Sequence, residues 1–334
     1  MDLSTTYLGF KLPHPFFPGA SPLADTMDRV RQLEDAGAPM ITLRSLFEEQ
    51  IALESMATSR SMEAIANANA ESLSYLPDPE GFVIGPEEYL EHLRQVKAAV
   101  KVPVVGSLNG KTAGGWLEYA KLIEQAGADA LELHIYTLAA DAKEPGDAVV
   151  ERTVEMVRTL RKAVGIPVAV KLSPFYTSFA NVAVQLDAAG ADALVLFNRF
   201  YHPDIDVEKL ELVDTLTLSD SSDLPLRLRW LAIVAGKVQA NLAVTGGVHT
   251  VLDAVKAIMC GANGVQMVSA LLKRGPRYLK TMVTGLSEWL EANEYESMAQ
   301  MMGSMSMEKC PDPSPFNRAS YMRVLQTWVN PYQA

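Results

Sequence analysis

The chain has 334 residues, of which 49% are hydrophobic and 21% charged, and its formal net charge is -11. This is the balance of a globular protein with ample apolar surface for a core. The acidic charge argues against binding to nucleic acid or to an anionic membrane. Cys260 and Cys310 are the two cysteines and form no CxxC pair, which argues against an iron–sulfur cluster, a cysteine-built zinc site or a disulfide framework.

The N-terminal residues lack the basic and then apolar pattern of a signal peptide. No apolar run reaches the roughly 18–20 residues that a membrane-spanning helix needs. The five histidines show no spacing typical of metal ligands, so no metal site is expected. Together these features predict a cytoplasmic enzyme.

A strand–helix unit repeats along the chain. After a short N-terminal hairpin, the segments expected to supply eight strands are 16–20, 35–43, 102–108, 125–133, 166–172, 189–197, 241–245 and 260–268. Helical patterns lie between them, at 25–36, 86–100, 115–127, 148–164, 179–190, 225–238 and 251–261. Four of the strand segments follow a helix that ends on a glycine, as left-handed helix caps do, namely Gly37, Gly127, Gly190 and Gly261.

Two folds fit this order, an open doubly wound sheet and a closed (β/α)8 TIM barrel. The open sheet predicts a G-x-G-x-x-G motif after the first strand, which is absent. The Gly246-Gly247 pair follows the seventh strand instead, where barrels carry a phosphate site. We therefore expect a single α/β barrel domain spanning 1–334, with the barrel at about 15–290. Residues 54–86 are interpreted as an inserted loop or lid, and 291–334 as a helical tail on the outside.

Catalytic groups of a barrel occupy the C-terminal ends of its strands. Gly246 and Gly247, with Ser269 after the eighth strand, suit a phosphate group, although the glycines alone also fit a plain tight turn. Lys171 ends the fifth strand between apolar residues, so it is expected in the barrel mouth or in a buried ion pair. Asn198 ends the sixth strand and could recognise the edge of a heterocycle or simply form a turn.

The fourth strand alternates strictly, so Glu132, His134 and Tyr136 are expected on one face, lining the barrel interior. Such a set could perform general acid–base catalysis near neutral pH, or it could be a satisfied polar network in the core. Arg44 ends the second strand and could bind an anionic group or pair with Glu48 or Glu49. Asn109, at the end of the third strand, is a further candidate for binding the substrate.

These residues, taken together from position 8 to 303, resemble the dihydroorotate dehydrogenases, FMN-dependent barrel enzymes of pyrimidine synthesis. The matching pieces are Gly19-Ala20-Ser21, Ile41-Thr42 with Ser45, Val170-Lys171-Leu172 with Pro174, Asn198, Thr245-Gly246-Gly247, and 266–271 with Lys273 and Gly275-Pro276.

The resemblance implies a role for each matched residue. It implies that Ala20 and Ser21 line the flavin, with Ser45 in the same cofactor shell, and that Lys171 contacts the pyrimidine end of the ring. Gly246, Gly247 and Ser269 would hold the phosphate, and Asn198 would lie near flavin and substrate. A homodimer and a separate electron-transfer partner are also implied.

The chain departs from the family on the substrate side. Where the family reads Asn-Leu-Ser-Cys-Pro-Asn, with Cys or Ser as the base, this chain has residues 132–137, ELHIYT. Ile135 therefore stands at the position of the base and cannot accept a proton. Leu43 replaces an expected lysine, Val268 replaces the glycine before Ser269, and residues 219–222 lack an expected glycine pair.

Four functions remain open from the sequence. The first is an FMN-dependent oxidoreductase in which hydride passes between a small substrate and the flavin, with His134 or Tyr136 as base. The second is a genuine dihydroorotate dehydrogenase with a rearranged base. The others are a non-catalytic flavin-binding barrel and a barrel that binds a phosphorylated metabolite without flavin.

Overall fold

The computed structural model describes residues 1–51, 85–110, 116–135, 138–199, 201–316 and 320–327. The strands, in chain order, are β1 Thr5–Tyr7, β2 Phe10–Leu12, β3 Phe16–Pro18, β4 Ile41–Phe47, β5 Val104–Gly110, β6 Ala130–Ile135, β7 Val168–Leu172, β8 Ala193–Leu196, β9 Asp204–Asp206, β10 Glu211–Val213, β11 Asn241–Thr245 and β12 Gly264–Met267. The α-helices are α1 Met27–Asp35, α2 Pro86–Ala99, α3 Trp116–Gln125, α4 Gly146–Ala163, α5 Phe179–Ala188, α6 Leu224–Val234, α7 Val251–Met259, α8 Ser269–Arg274, α9 Tyr278–Ala292, α10 Met298–Met301 and α11 Ser320–Gln326.

Eight parallel strands form one sheet in the order β3-β12-β11-β8-β7-β6-β5-β4. The two end strands, β3 and β4, contact each other, so the sheet curls into a nearly closed barrel. Helices surround it, and the predicted (β/α)8 TIM barrel is confirmed. The short antiparallel pair β1–β2 confirms the N-terminal hairpin.

The barrel strands are largely buried because both faces of the sheet are covered. All five residues of β7 are buried, for example. A large apolar cluster lies between sheet and helices, and a smaller one fills the barrel interior. Tyr7, Leu8 and Leu12 belong to the smaller cluster together with Phe17 and Met40. The hairpin therefore packs into the lower end of the barrel.

The glycine turns between helices and strands behave as the sequence predicts. Gly37, Gly127, Gly190 and Gly261 all have positive φ, between 89° and 111°. At Gly261 a Cβ would also lie 2.6 Å from the Cβ of Ala235, so this turn requires glycine for space as well as for conformation.

The tail packs on the outer surface near α7. The backbone N–H of Met305 donates to the carbonyl of Met259 at 2.8 Å, and that of Met298 donates to the carbonyl of Asp2 at 2.9 Å. Nearly all of the predicted inserted loop 54–86 lies outside the residues that the structure describes. Within the described ranges, no helix is long and apolar enough to cross a membrane.

The sequence did not indicate the helices α8 and α9, nor the antiparallel hairpin β9–β10 between β8 and α6. The turn of this hairpin lacks the Asn-Gly or Asp-Gly signal of a two-residue hairpin, and Leu210 there has a φ of 57°. Ile205, Leu210 and Leu212 are between 62% and 87% exposed, so the hairpin projects apolar side chains into solvent.

Candidate functional site

Polar side chains meet at the C-terminal ends of three neighbouring strands. In the register of β5, β6 and β7, Ser107 pairs with Glu132, Asn109 with His134, and His134 with Lys171. All five residues are buried. Because side chains alternate along each strand, the predicted common face of Glu132 and His134 points into the barrel, while Ile135 joins the apolar layer under the helices. Tyr136 lies outside the described residues.

Glu132 is the centre of a buried polar cluster. Its Oε1 atom accepts from Nζ of Lys171 at 3.2 Å, and its Oε2 atom accepts from Nε2 of Gln266. Lys171 also donates to Oε1 of Gln266 at 3.4 Å. The lysine and glutamate side chains are only 6% and 1% exposed. Lys171 thus forms the buried ion pair that the sequence left open as an alternative, and hydrogen bonds to Gln266 offset part of its desolvation cost.

His134 is a neutral imidazole at physiological pH. Burial, and then the positive charge of Lys171, lower its pKa from 6.5 to about 3. The acid–base role of His134 stays a prediction, and burial works against it, because a group with this pKa is a weak base at pH 7. Hydrogen bonding to a substrate remains open to it.

Arg44 pairs with a different carboxylate from those that the sequence suggested. Its Nε and Nη2 atoms donate to the two carboxylate oxygens of Asp25, at 3.0 and 2.5 Å, rather than to Glu48 or Glu49. The cause is a register shift in β4 between Thr42 and Ser45, which turns Arg44 toward the loop after β3. The binding of an anionic substrate by Arg44 stays a prediction, and such a substrate would compete with Asp25 for the guanidinium.

The same register shift directs Ser45 into the barrel. Its hydroxyl lies 2.7 Å from the hydroxyl of Ser107 on β5. Ser21 forms a local turn in which its hydroxyl donates to the carbonyl of Gly19 at 2.9 Å. Ala20 precedes it, two residues after the end of β3. The backbone N–H of Asn198 donates to the carbonyl of Leu172, at the C-terminal ends of β7 and β8.

The glycine pair after β11 forms a turn that only glycine fits. Gly246 and Gly247 have φ values of 76° and 82°. A Cβ on Gly247 would lie 2.6 Å from the backbone nitrogen of Leu224, at the start of α6. The turn therefore packs directly against the helix that follows the sixth barrel strand.

Ser219 links the loops around this turn. Its hydroxyl accepts from the N–H of Gly247 at 3.4 Å, and its own N–H donates to the hydroxyl of Ser269 at 3.2 Å. Nζ of Lys273 donates to its carbonyl at 2.9 Å. Three loops and a lysine therefore converge at one point.

Arg227 hydrogen-bonds to backbone carbonyls of the loops around the glycine turn. Its guanidinium donates to the carbonyls of Thr245 and Asp223 at 2.6 Å each, and to that of Phe197 at 3.4 Å. Burial lowers its pKa below the usual value. This one side chain ties the end of the sixth barrel strand to the residue that precedes the glycine turn.

Sequence reasoning assigned no role to Ser219, Arg227 or Gln266. Leu224, Arg227 and Leu231 are spaced as one buried face of α6, which was a usable signal for Arg227. For Gln266 the signal was an amide inside an otherwise apolar strand. Ser219 carries no signal, because its position depends on the path of a long loop.

Within the described ranges, no group of three or more His, Cys, Asp or Glu residues is placed to hold a metal ion.

Comparison with known proteins identifies a family for this arrangement. The family model for dihydroorotate dehydrogenase matches residues 81–290. The catalytic subunit of dihydroorotate dehydrogenase B (NAD(+)) from Thermoplasma volcanium is 26% identical over 311 residues, covering 90% of this chain and 98% of that protein. A putative dihydroorotate dehydrogenase A (fumarate) from Aeropyrum pernix is 30% identical over 227 residues, covering 66% and 72%.

A third relative has a different name. The NAD-dependent dihydropyrimidine dehydrogenase subunit PreA of Escherichia coli strain K12 is 23% identical over 322 residues, covering 90% of this chain and 76% of that protein. The chain belongs to the dihydroorotate dehydrogenase family, whose enzymes are generally flavin-dependent, and it is an oxidoreductase.

Proposed function

We propose that this barrel binds FMN and oxidises or reduces a CH–CH bond of a small cyclic molecule. The observation that carries the proposal is that a phosphate-compatible turn and a buried lysine lie at the same end of one barrel. Gly246 and Gly247 form the turn, and Lys171 is the lysine. This end of a barrel is where loops build active sites.

The residues present fit FMN. The glycine turn lies beside the N-terminus of α7, and backbone N–H groups in such a turn are the kind of donors that hold a phosphate; the N–H of Gly247 contacts the Ser219 hydroxyl at 3.4 Å, a long hydrogen bond that an anion would replace. The hydroxyl of Ser269 and the ammonium group of Lys273 add further donors on the adjoining loops. Lys171 supplies a cation in the barrel interior, where negative charge on a reduced ring would be stabilised.

FMN, when bound, supplies a ring that accepts or donates hydride. Around it, Lys171 would stabilise negative charge, and Ala20, Ser21, Ser45 and Asn198 would line the ring. We propose that Asn109 and neutral His134 orient polar groups of the substrate by hydrogen bonds. Tyr136 stays a candidate for the base.

Purified protein tests the proposal directly. We expect a yellow protein with flavin absorbance that releases FMN on denaturation, identified by mass, or an apoprotein that takes up added FMN in a 1:1 ratio. A colourless protein that refuses FMN and instead binds another phosphorylated metabolite would contradict it. Bound FMN that no donor reduces would indicate a non-catalytic barrel.

Oxidation of dihydroorotate itself is the second candidate. The names of two relatives support it, as does the position of Asn109 beside His134. Ile135, which is buried under the helices at the position of the family's base, argues against it. Turnover of dihydroorotate with fumarate, a quinone or NAD as acceptor would establish it, and no turnover with FMN bound would exclude it.

We also propose that residues 1–334 act as one FMN-binding domain in the cytoplasm, with two partners besides the substrate. A second copy of this chain would cover the exposed apolar side chains of β9–β10, because an isolated two-stranded hairpin is only marginally stable in water. A separate electron-transfer subunit is supported by the name "catalytic subunit" of a relative. The mass in solution tests the proposed dimer. We expect the wild type to be a dimer and Leu212→Asp to be a monomer.

A further inference from the structure

Glu132 is too deeply enclosed to exchange protons with a substrate. Its side chain is 1% exposed, and each carboxylate oxygen has its own partner, Lys171 or Gln266. It precedes His134 by two residues on β6, which places it about 7 Å deeper along the strand. A catalytic role by direct contact is therefore not what this geometry supports.

The geometry instead points to Glu132 as a positioning residue that cancels part of the charge of Lys171 and thereby lowers the reduction potential of bound FMN. This inference rests on the proposed function. Lys171 Nζ and Glu132 Oε1 lie 3.2 Å apart in the barrel interior, where water does not screen their charges. The ring would therefore experience a lysine–carboxylate pair in place of a lone cation.

The direction of the effect follows from charge. Uptake of two electrons and one proton adds one negative charge to the flavin ring. A lone lysine would stabilise that charge, whereas a nearby carboxylate destabilises it. Gln266 fixes the pair by contacting both members, so the carboxylate cannot turn away when the ring is reduced. The resemblance in the sequence places asparagine, a neutral residue, at this position in the family.

A charge-deletion cycle on the FMN-loaded protein tests this inference. The variants are Glu132→Gln, Lys171→Met and the double variant, and the readout is the midpoint potential of the flavin, equilibrated with a dye of known potential. Asp129→Asn is the matched control, because Asp129 pairs with Lys97 at the opposite end of the same strand. Thermal melting of each apoprotein reports folding separately.

We expect Glu132→Gln to raise the ratio of reduced to oxidised flavin at least tenfold at a fixed potential, an upward shift of about 30 mV. Lys171→Met should shift the potential downward, and Asp129→Asn should leave it at the wild-type value. The double variant should match Lys171→Met, because a buried Glu132 that has lost its lysine takes up a proton and carries no charge.

Equal potentials for the wild type and Glu132→Gln would overturn the inference, since Glu132 would then be electrostatically silent. Should Glu132→Gln fail to fold because its lysine is left unpaired in the interior, Glu132→Asp keeps the charge on a shorter side chain, and a potential unchanged by that substitution would overturn the inference. A wild-type protein that refuses FMN would overturn the proposed function and this inference together. FMN binding with no difference among potentials would overturn only the inference.

Discussion

Nδ2 of Asn109 lies 3.2 Å from Nδ1 of His134, across the paired strands β5 and β6. An amide nitrogen can only donate, so Nδ1 accepts and the proton of the neutral ring lies on Nε2. Asn109 therefore selects one tautomer of a histidine that burial and Lys171 already keep uncharged. This pair would present a hydrogen-bond donor, rather than a proton acceptor, to a substrate.

Acid should destabilise the protein partly through His134. Because its pKa is lower in the folded chain than in the unfolded chain, the unfolded chain binds the proton first as pH falls. The stabilisation is complete above pH 6.5 and is lost as pH falls from 6.5 toward 3. We expect His134 to account for about 2 kcal/mol of lost unfolding free energy between pH 7.5 and pH 5.

Urea unfolding at both pH values, for the wild type and for His134→Asn, measures this contribution. His14 and His249, whose pKa values are also lowered by burial, remain in both proteins, so the difference between the two pH dependences isolates His134. Identical pH dependences would show that His134 is not held neutral by its surroundings.

Gly247→Ala should damage the turn after β11. Gly247 has a φ of 82°, which strains any residue with a side chain. The added Cβ would also lie 2.6 Å from the backbone nitrogen of Leu224 in α6, so either the turn or the helix must shift. We expect a loss of about 1–3 kcal/mol in unfolding free energy and at least tenfold weaker FMN binding. Fluorescence titration with FMN and denaturant unfolding measure the two effects.

Gly37→Ala is the matched control for that variant. Gly37 has a φ of 89°, but a Cβ there would meet nothing within 4 Å. The Gly37→Ala variant should have a lower free energy of unfolding because of backbone strain, but it should keep the FMN affinity of the wild type. Equal loss of FMN affinity in both variants would mean that general destabilisation, and not the turn, governs binding.

Arg227→Met should loosen the link between three carbonyls at the barrel mouth. Thr245, Asp223 and Phe197 would each lose a donor, two of them at 2.6 Å. We expect unfolding free energy to fall by about 2–4 kcal/mol and FMN affinity to weaken. Arg227→Lys, which keeps the charge but loses the planar fork, should be intermediate in both. A methionine variant as stable as the wild type would refute this role.

The Arg44–Asp25 pair should matter little for stability. The arginine side chain is 33% exposed, so solvent screens the interaction. We expect Arg44→Gln and Asp25→Asn each to lower unfolding free energy by less than about 1 kcal/mol. A double-mutant cycle measured by denaturant unfolding gives the coupling, and a value several times larger would show that the pair fixes the loop after β3.

The barrel was predictable from the sequence because its determinants are local. Glycine caps such as Gly37 and Gly261 end helices, and apolar runs mark strands that are buried on both faces. The hairpin β9–β10 was missed because it lacks such local signals. It has no glycine or proline at its turn, and its alternation of acidic and apolar residues has no core to face.

The site was predictable only in part, because polar partners are determined by tertiary contacts. Strand alternation places Glu132 and His134 in the interior, but it does not reveal that Gln266, 134 residues away in the chain, contacts Glu132. Nor does the pattern show the register shift in β4, so the partner of Arg44 was wrong. The depressed pKa of His134 likewise depends on burial that arises only when the barrel closes.

The pairing of β3 with β12 has a consequence for how the chain is made. Val265 and Met267 pair with Phe16 and Pro18, so the first barrel strand finds its hydrogen-bonded neighbour only when the last has been synthesised. Contacts this distant in sequence form late and slowly. Until β12 is made, the strands synthesised earlier keep an unpaired edge, and partly folded chains with such edges are prone to aggregate.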